Sequence, residues 1–146
     1  MHDVITVETD LFEHREVKPH FINPCCFGED FAAWLRNELT PLAASGFQLS
    51  DIIQEDYGWG FWATSGKDAF WVALGYCDED DLNQQPNRQA TQEPAQWVVS
   101  IDYDPGLNVF KRLFHRPDAQ AFARLRNGIR QSLQANSAIR IVGNSA

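Results

Sequence analysis

No run in this 146-residue chain approaches the roughly 20 consecutive apolar residues that a membrane-spanning helix needs. We expect no membrane contact on that ground. The opening segment, Met1 to Asp10, has no basic start and no apolar stretch behind it, so it does not read as a secretory signal and a cytoplasmic location is expected. Cysteine is scarce. Cys25, Cys26 and Cys77 are odd in number and two are adjacent, which excludes a disulfide framework and reads as reduced thiols. No Walker loop, GxGxxG, GxSxG or HExxH pattern occurs. That removes the common nucleotide and hydrolase signatures, and no cofactor is expected. Internal repeats are absent as well.

What is present suits one globular domain over residues 1–146. Hydrophobic residues make up 44% and charged residues 22%, and a chain this long buries a core without staples. Ten Phe, five Trp and three Tyr give that core a large apolar payload. The formal net charge is −8, unevenly placed. Residues 1–104 hold 19 acids against five Lys and Arg, a balance of −14. Residues 105–146 hold one acid against seven, a balance of +6. The acidic whole argues against nucleic acid as a partner, since phosphates are repelled at long range.

Periodicity sets the elements. Alternation over residues 3–9 predicts a short strand. Phe31, Trp34, Leu35, Leu39 and Leu42 recur at helical spacing and predict a helix over 29–45, capped by Gly46 and bent or broken near Thr40 by Pro41. Strands are expected over 47–53, 96–103, 107–114 and 138–142, and a second helix over about 117–135 with Pro117 at its first position. The stretch 78–95 is polar and reads as a long surface loop. The fold class is α+β: an antiparallel sheet of four to six strands with two helices, at least one of them on the core face.

The clearest element is a hairpin over 57–77. Gly66-Lys67 at the centre of Ser65-Gly66-Lys67-Asp68 suits a two-residue turn. Trp62 then faces Trp71, and Gly60 faces Ala73. One face carries Tyr57, Trp59, Phe61, Phe70, Val72 and Leu74 and is expected in the core. The other sets Trp62 and Trp71 beside a floor of Gly58, Gly60, Ala73 and Gly75. Gly58-Trp59-Gly60 lies inside this strand pattern and opens no helix, so it is not a phosphate loop.

Several constellations carry candidate chemistry. Cys25-Cys26 precedes the first helix, where a thiol can become nucleophilic, with His14, His20 or His115 as a base. Nothing in the sequence fixes that geometry, and a buried small hydrophobe is the usual fate of a free cysteine. The same Cys and His residues lack the paired spacing of a structural zinc site, and no metal is expected. Glu55, Asp56, Asp102 and Asp104 are acids that acid–base chemistry or cations use, or simply the polar ends of strands. Arg112, Arg116, Arg124, Arg126 and Arg130 form a basic helix surface or pair with the acidic first part. The Trp62/Trp71 face is the best candidate site, either an aromatic groove or the seat of a packed helix.

Residues 27–35 (Phe-Gly-Glu-Asp-Phe-Ala-Ala-Trp-Leu) and 55–62 (Glu-Asp-Tyr-Gly-Trp-Gly-Phe-Trp) resemble small acidic bacterial domains of uncharacterised function. In size, acidity and layout these look like immunity proteins of bacterial toxin systems. The resemblance covers roughly residues 21–76 and brings no catalytic residue. It implies a non-enzymatic protein-binding role. The −14 balance over residues 1–104 suits a partner with a basic surface, and Trp62, Trp71, Glu55, Asp56 and Asp102 are the candidate binding residues. The alternative is a small-molecule-binding domain or enzyme that uses the same aromatic face. The oligomeric state is left open.

Overall fold

The hairpin forms in the register its turn dictates. In the computed structural model, which describes residues 1–24, 26–76 and 94–145, Trp62 pairs with Trp71, Phe61 with Val72 and Gly60 with Ala73. Trp59, Phe61, Phe70, Val72 and Leu74 are all buried. A slip by one residue would expose that apolar set, so burial enforces the register.

Tyr57 departs from this pattern. Expected in the core, it is 53% exposed, and its hydroxyl reaches Trp71 on the other face of the sheet. The strand begins one residue later, at Gly58. Gly58 has a φ of 156°, and a Cβ there would come within 2.2 Å of the Leu74 carbonyl oxygen. Asp56 and Tyr57 form the turn between β3 and β4, so the alternation of the strand does not extend back to Tyr57.

Among the described residues, seven strands make one antiparallel sheet: β1 (His2–Glu8), β2 (Phe47–Leu49), β3 (Ile53–Glu55), β4 (Gly58–Ser65), β5 (Asp68–Tyr76), β6 (Gln96–Asp104) and β7 (Arg140–Ser145). Their order is β2-β4-β5-β6-β1-β7, with β3 also on β4. The strand expected over 47–53 is really two short ones, which takes the count one above the expected range. Ser50 causes the break. Its Oγ accepts from the Trp62 N–H at 2.8 Å, a place where a strand carbonyl would stand. The N-terminal strand sits between β6 and β7, in register from His2↔Asp102 to Glu8↔Gln96.

Helix α1 spans Glu29–Glu38, and Glu29 and Asp30 in its first turn favour the dipole. It stops before Pro41, which opens a 3-10 turn over Thr40–Ser45 that Gly46 closes with a φ of 88°. Helix α3 spans Ala119–Ala135 and buries Phe122, Leu125, Ile129 and Leu133. Pro117 stands just outside it, because Asp118 is the N-cap and accepts from Gln120 and Ala121 N–H. Both helices touch the same face of the sheet. Phe31 of α1 meets Trp97 edge-on at 5.6 Å, and Phe122 of α3 lies 5.9 Å from Phe70. Gly128 lets α3 approach Leu39 and Leu42, where a Cβ would already be 3.3–3.4 Å from their methyls.

The strand expected over 107–114 is instead a helix, α2 (Val109–Phe114). Asn108 decides this, because its side chain accepts from the Phe110 and Lys111 N–H groups and starts a helical turn. Its apolar residues stay exposed, so no sheet neighbour rewards an extended conformation. Most of the loop expected over 78–95, together with Cys25 and Cys77, lies outside the described residues.

Candidate functional site

Strand alternation puts Trp62 and Trp71 on the face opposite the core, and the register sets them side by side. Their rings lie 5.0 Å apart, tilted by 53°. Both are half-buried, while α1 and α3 contact the other face. The Trp71 indole N–H donates to the Tyr57 hydroxyl oxygen at 2.7 Å. With its oxygen accepting that bond, the Tyr57 O–H is left to donate outward.

Acids frame the rings. Asp102 pairs across strands with Trp71 and contacts the His2 imidazole. Glu55 stands opposite Gly58 at the end of β3. Burial first, then the negative charges of Glu55 and Asp102, push the Tyr57 phenol above its ordinary value, against the Trp71 hydrogen bond that favours the phenolate. Trp62, Trp71, Glu55 and Asp102 are therefore brought together, with Tyr57 added. The expectation of Tyr57 in the core hid its place here, although its position one residue before Gly58 was the available signal. Asp56 is exposed in the turn between β3 and β4, and its backbone carbonyl accepts from the Asn23 side chain.

The glycine floor is not an open groove. A Cβ on Gly60 would meet Trp71 Cζ2 at 2.5 Å and the Val72 carbonyl oxygen at 2.5 Å. The Trp71 ring itself lies on Gly60 and fills that space. At Gly60 the floor is therefore covered by the Trp71 ring, with Glu55 and Asp102 at the edges.

Of the two adjacent thiols, Cys26 lies among the described residues. Cys26 is fully buried, and its thiol donates to the Glu55 carbonyl at 3.2 Å. Its own carbonyl accepts from the Trp59 indole at 2.9 Å. His14 stacks on Tyr76 with centroids 5.6 Å apart, His20 contacts Glu29, and His115 meets Asp68 at 2.6 Å. These contacts set the three imidazoles against Tyr76, Glu29 and Asp68. Among the described residues, no group of three or more His, Cys, Asp or Glu side chains could hold a metal ion.

Asp68 is a second polar centre, buried at 4% exposure. Burial alone would raise its pKa. Hydrogen bonds from the Asp118 N–H and His115, with the charges of His115 and Lys111, outweigh burial and hold it below the ordinary carboxylate range. It fastens the start of α3 to the hairpin. The basic stretch is partly paired: Arg130 meets the buried Asp3 at 2.9 Å, and Arg126 lies 6.0 Å from the Phe122 ring centre.

Among the described residues, no helix is long and apolar enough to cross a membrane. No family model, curated protein or solved structure matches this chain.

Proposed function

We propose that this chain is a non-enzymatic protein-binding domain, and that its binding surface is the sheet face around Trp62 and Trp71. The observation that carries this reading is the pair of half-buried indoles at 5.0 Å, uncovered by either long helix, held by Tyr57 and edged by Glu55 and Asp102. Exposed aromatic clusters with acidic rims suit partners rich in Arg and Lys. The rings take cations on their faces and the carboxylates take them at the edges. The −14 balance over residues 1–104 steers such a partner toward the domain. Because Trp71 fills the space above Gly60, the surface suits a broad macromolecular contact more than an enclosed small ligand.

An immunity-type inhibitor of a basic toxin is the specific form of this role that the resemblance suggests, and such a protein acts in the cytoplasm. Affinity capture of the tagged chain from its native lysate, with mass spectrometry, tests the reading. A stoichiometric protein with a basic contact surface is the expected result. Recovery of no such partner contradicts it.

A further inference from the structure

Helix α2 leaves a large apolar surface open. Leu107 is 96% exposed, Phe114 78%, Phe110 76%, Leu113 70% and Val109 62%. At about 100° per residue, positions 109, 110, 113 and 114 share one arc of roughly 140°, and Lys111 and Arg112 fall outside it. The helix is held from that other side. Lys111 Nζ donates to the Lys67 carbonyl, and His115 just beyond the helix bonds the buried Asp68 at 2.6 Å. Asn108 caps the start. The apolar arc is thus a fixed feature turned to solvent, and contiguous patches of this kind mark interaction sites.

We propose that this arc is a dimer interface whose occupant is the same arc on a second copy of the chain. A two-fold contact is self-complementary, so it covers both patches at once. The area is of the right order. Two Phe side chains, each about three-quarters open, bring roughly 300 Å². Leu107, Val109, Leu113 and the stems of Arg112 and Arg116 extend this toward the roughly 800 Å² per partner of a standard interface. The rim of the arc is basic, within a segment of balance +6, while the rest of the chain has a balance of −14. An anionic lipid surface would attract α2 but repel the larger acidic remainder.

This inference does not depend on the role of the Trp62/Trp71 face. Its test is the mass of the full chain by sedimentation or light scattering, from low micromolar to submillimolar. Wild type, Phe110→Glu and Trp62→Ala are compared, with thermal unfolding followed in parallel. Wild type and Trp62→Ala should shift from monomer to dimer as concentration rises. Phe110→Glu should stay monomeric with an unchanged unfolding temperature, its dimer weakened by roughly 100-fold or more, because a buried unpaired carboxylate opposes association. A wild type that stays monomeric throughout overturns the proposal. So does a dimer unaffected by Phe110→Glu, or one abolished by Trp62→Ala alone. Flotation of monomeric wild type with phosphatidylserine vesicles, lost in Phe110→Glu, would assign the arc to lipid and likewise overturn it.

Discussion

A methyl group at position 60 would sit 2.5 Å from both Trp71 Cζ2 and the Val72 carbonyl oxygen. The ring could swing aside, but the carbonyl is backbone and has no cheap relief. Gly60→Ala is therefore expected to cost about 1–3 kcal/mol, as overpacking does, and to shift indole fluorescence by moving Trp71. Unchanged urea unfolding and emission would refute that placement. The neighbours Phe61 and Trp62 make a sharper pair, because one is fully buried and the other only half-buried. Phe61→Ala should cost about 3–5 kcal/mol. Trp62→Ala should cost about 1 kcal/mol, the scale of a lost aromatic pair. Equal penalties in denaturant titrations would mean that the outer face is packed, not open. At this scale the sequence was readable wherever alternation ran unbroken. Trp62, Trp71, Phe61 and Phe70 fell where period two put them. Tyr57 did not, because it stands in the Asp56-Tyr57 turn, and where that turn falls depends on how β3 pairs with β4, a contact between strands.

Among the elements, those with a full amphipathic period were legible and the short ones were not. α3 and the hairpin declare themselves through stripes that the core then buries. α2 was read as a strand because Leu107, Val109 and Leu113 suit either period over so few residues. Its Asn108 cap and its lack of a core neighbour decided the matter. Asp68 joins these elements, since it bonds both His115 and the Asp118 N–H. Its folded pKa is lowered. The stability it contributes is thus present above the unfolded carboxylate value near 4 and is lost as pH falls through the lower folded value. Wild type should lose stability below about pH 4, whereas Asp68→Asn should lack that part of the acid dependence and be weaker by about 1–3 kcal/mol at neutral pH. Parallel acid profiles for the two proteins would show that Asp68 is not the group responsible. Asp118→Ala removes the α3 cap and should cost about 0.5–2 kcal/mol, visible as a lower thermal midpoint.

For the whole molecule, composition foretold the charge division but not its arrangement. The acids Glu55 and Asp102 come from distant stretches of chain, and only the sheet order β3-β4-β5-β6 sets them around one pair of rings. Long-range pairing of this kind leaves no mark on local periodicity, so the candidate acids could be listed from sequence but not assembled. The most direct measurement is a calorimetric titration of the captured partner against wild type and the Trp62→Ala/Trp71→Ala double variant, at low and high salt. The double variant should bind more weakly by about 100-fold or more, as loss of a central aromatic anchor of about 3 kcal/mol implies. Added salt should weaken the wild-type complex, chiefly by slowing association. A folded double variant that binds as tightly as wild type would contradict the assignment of this face.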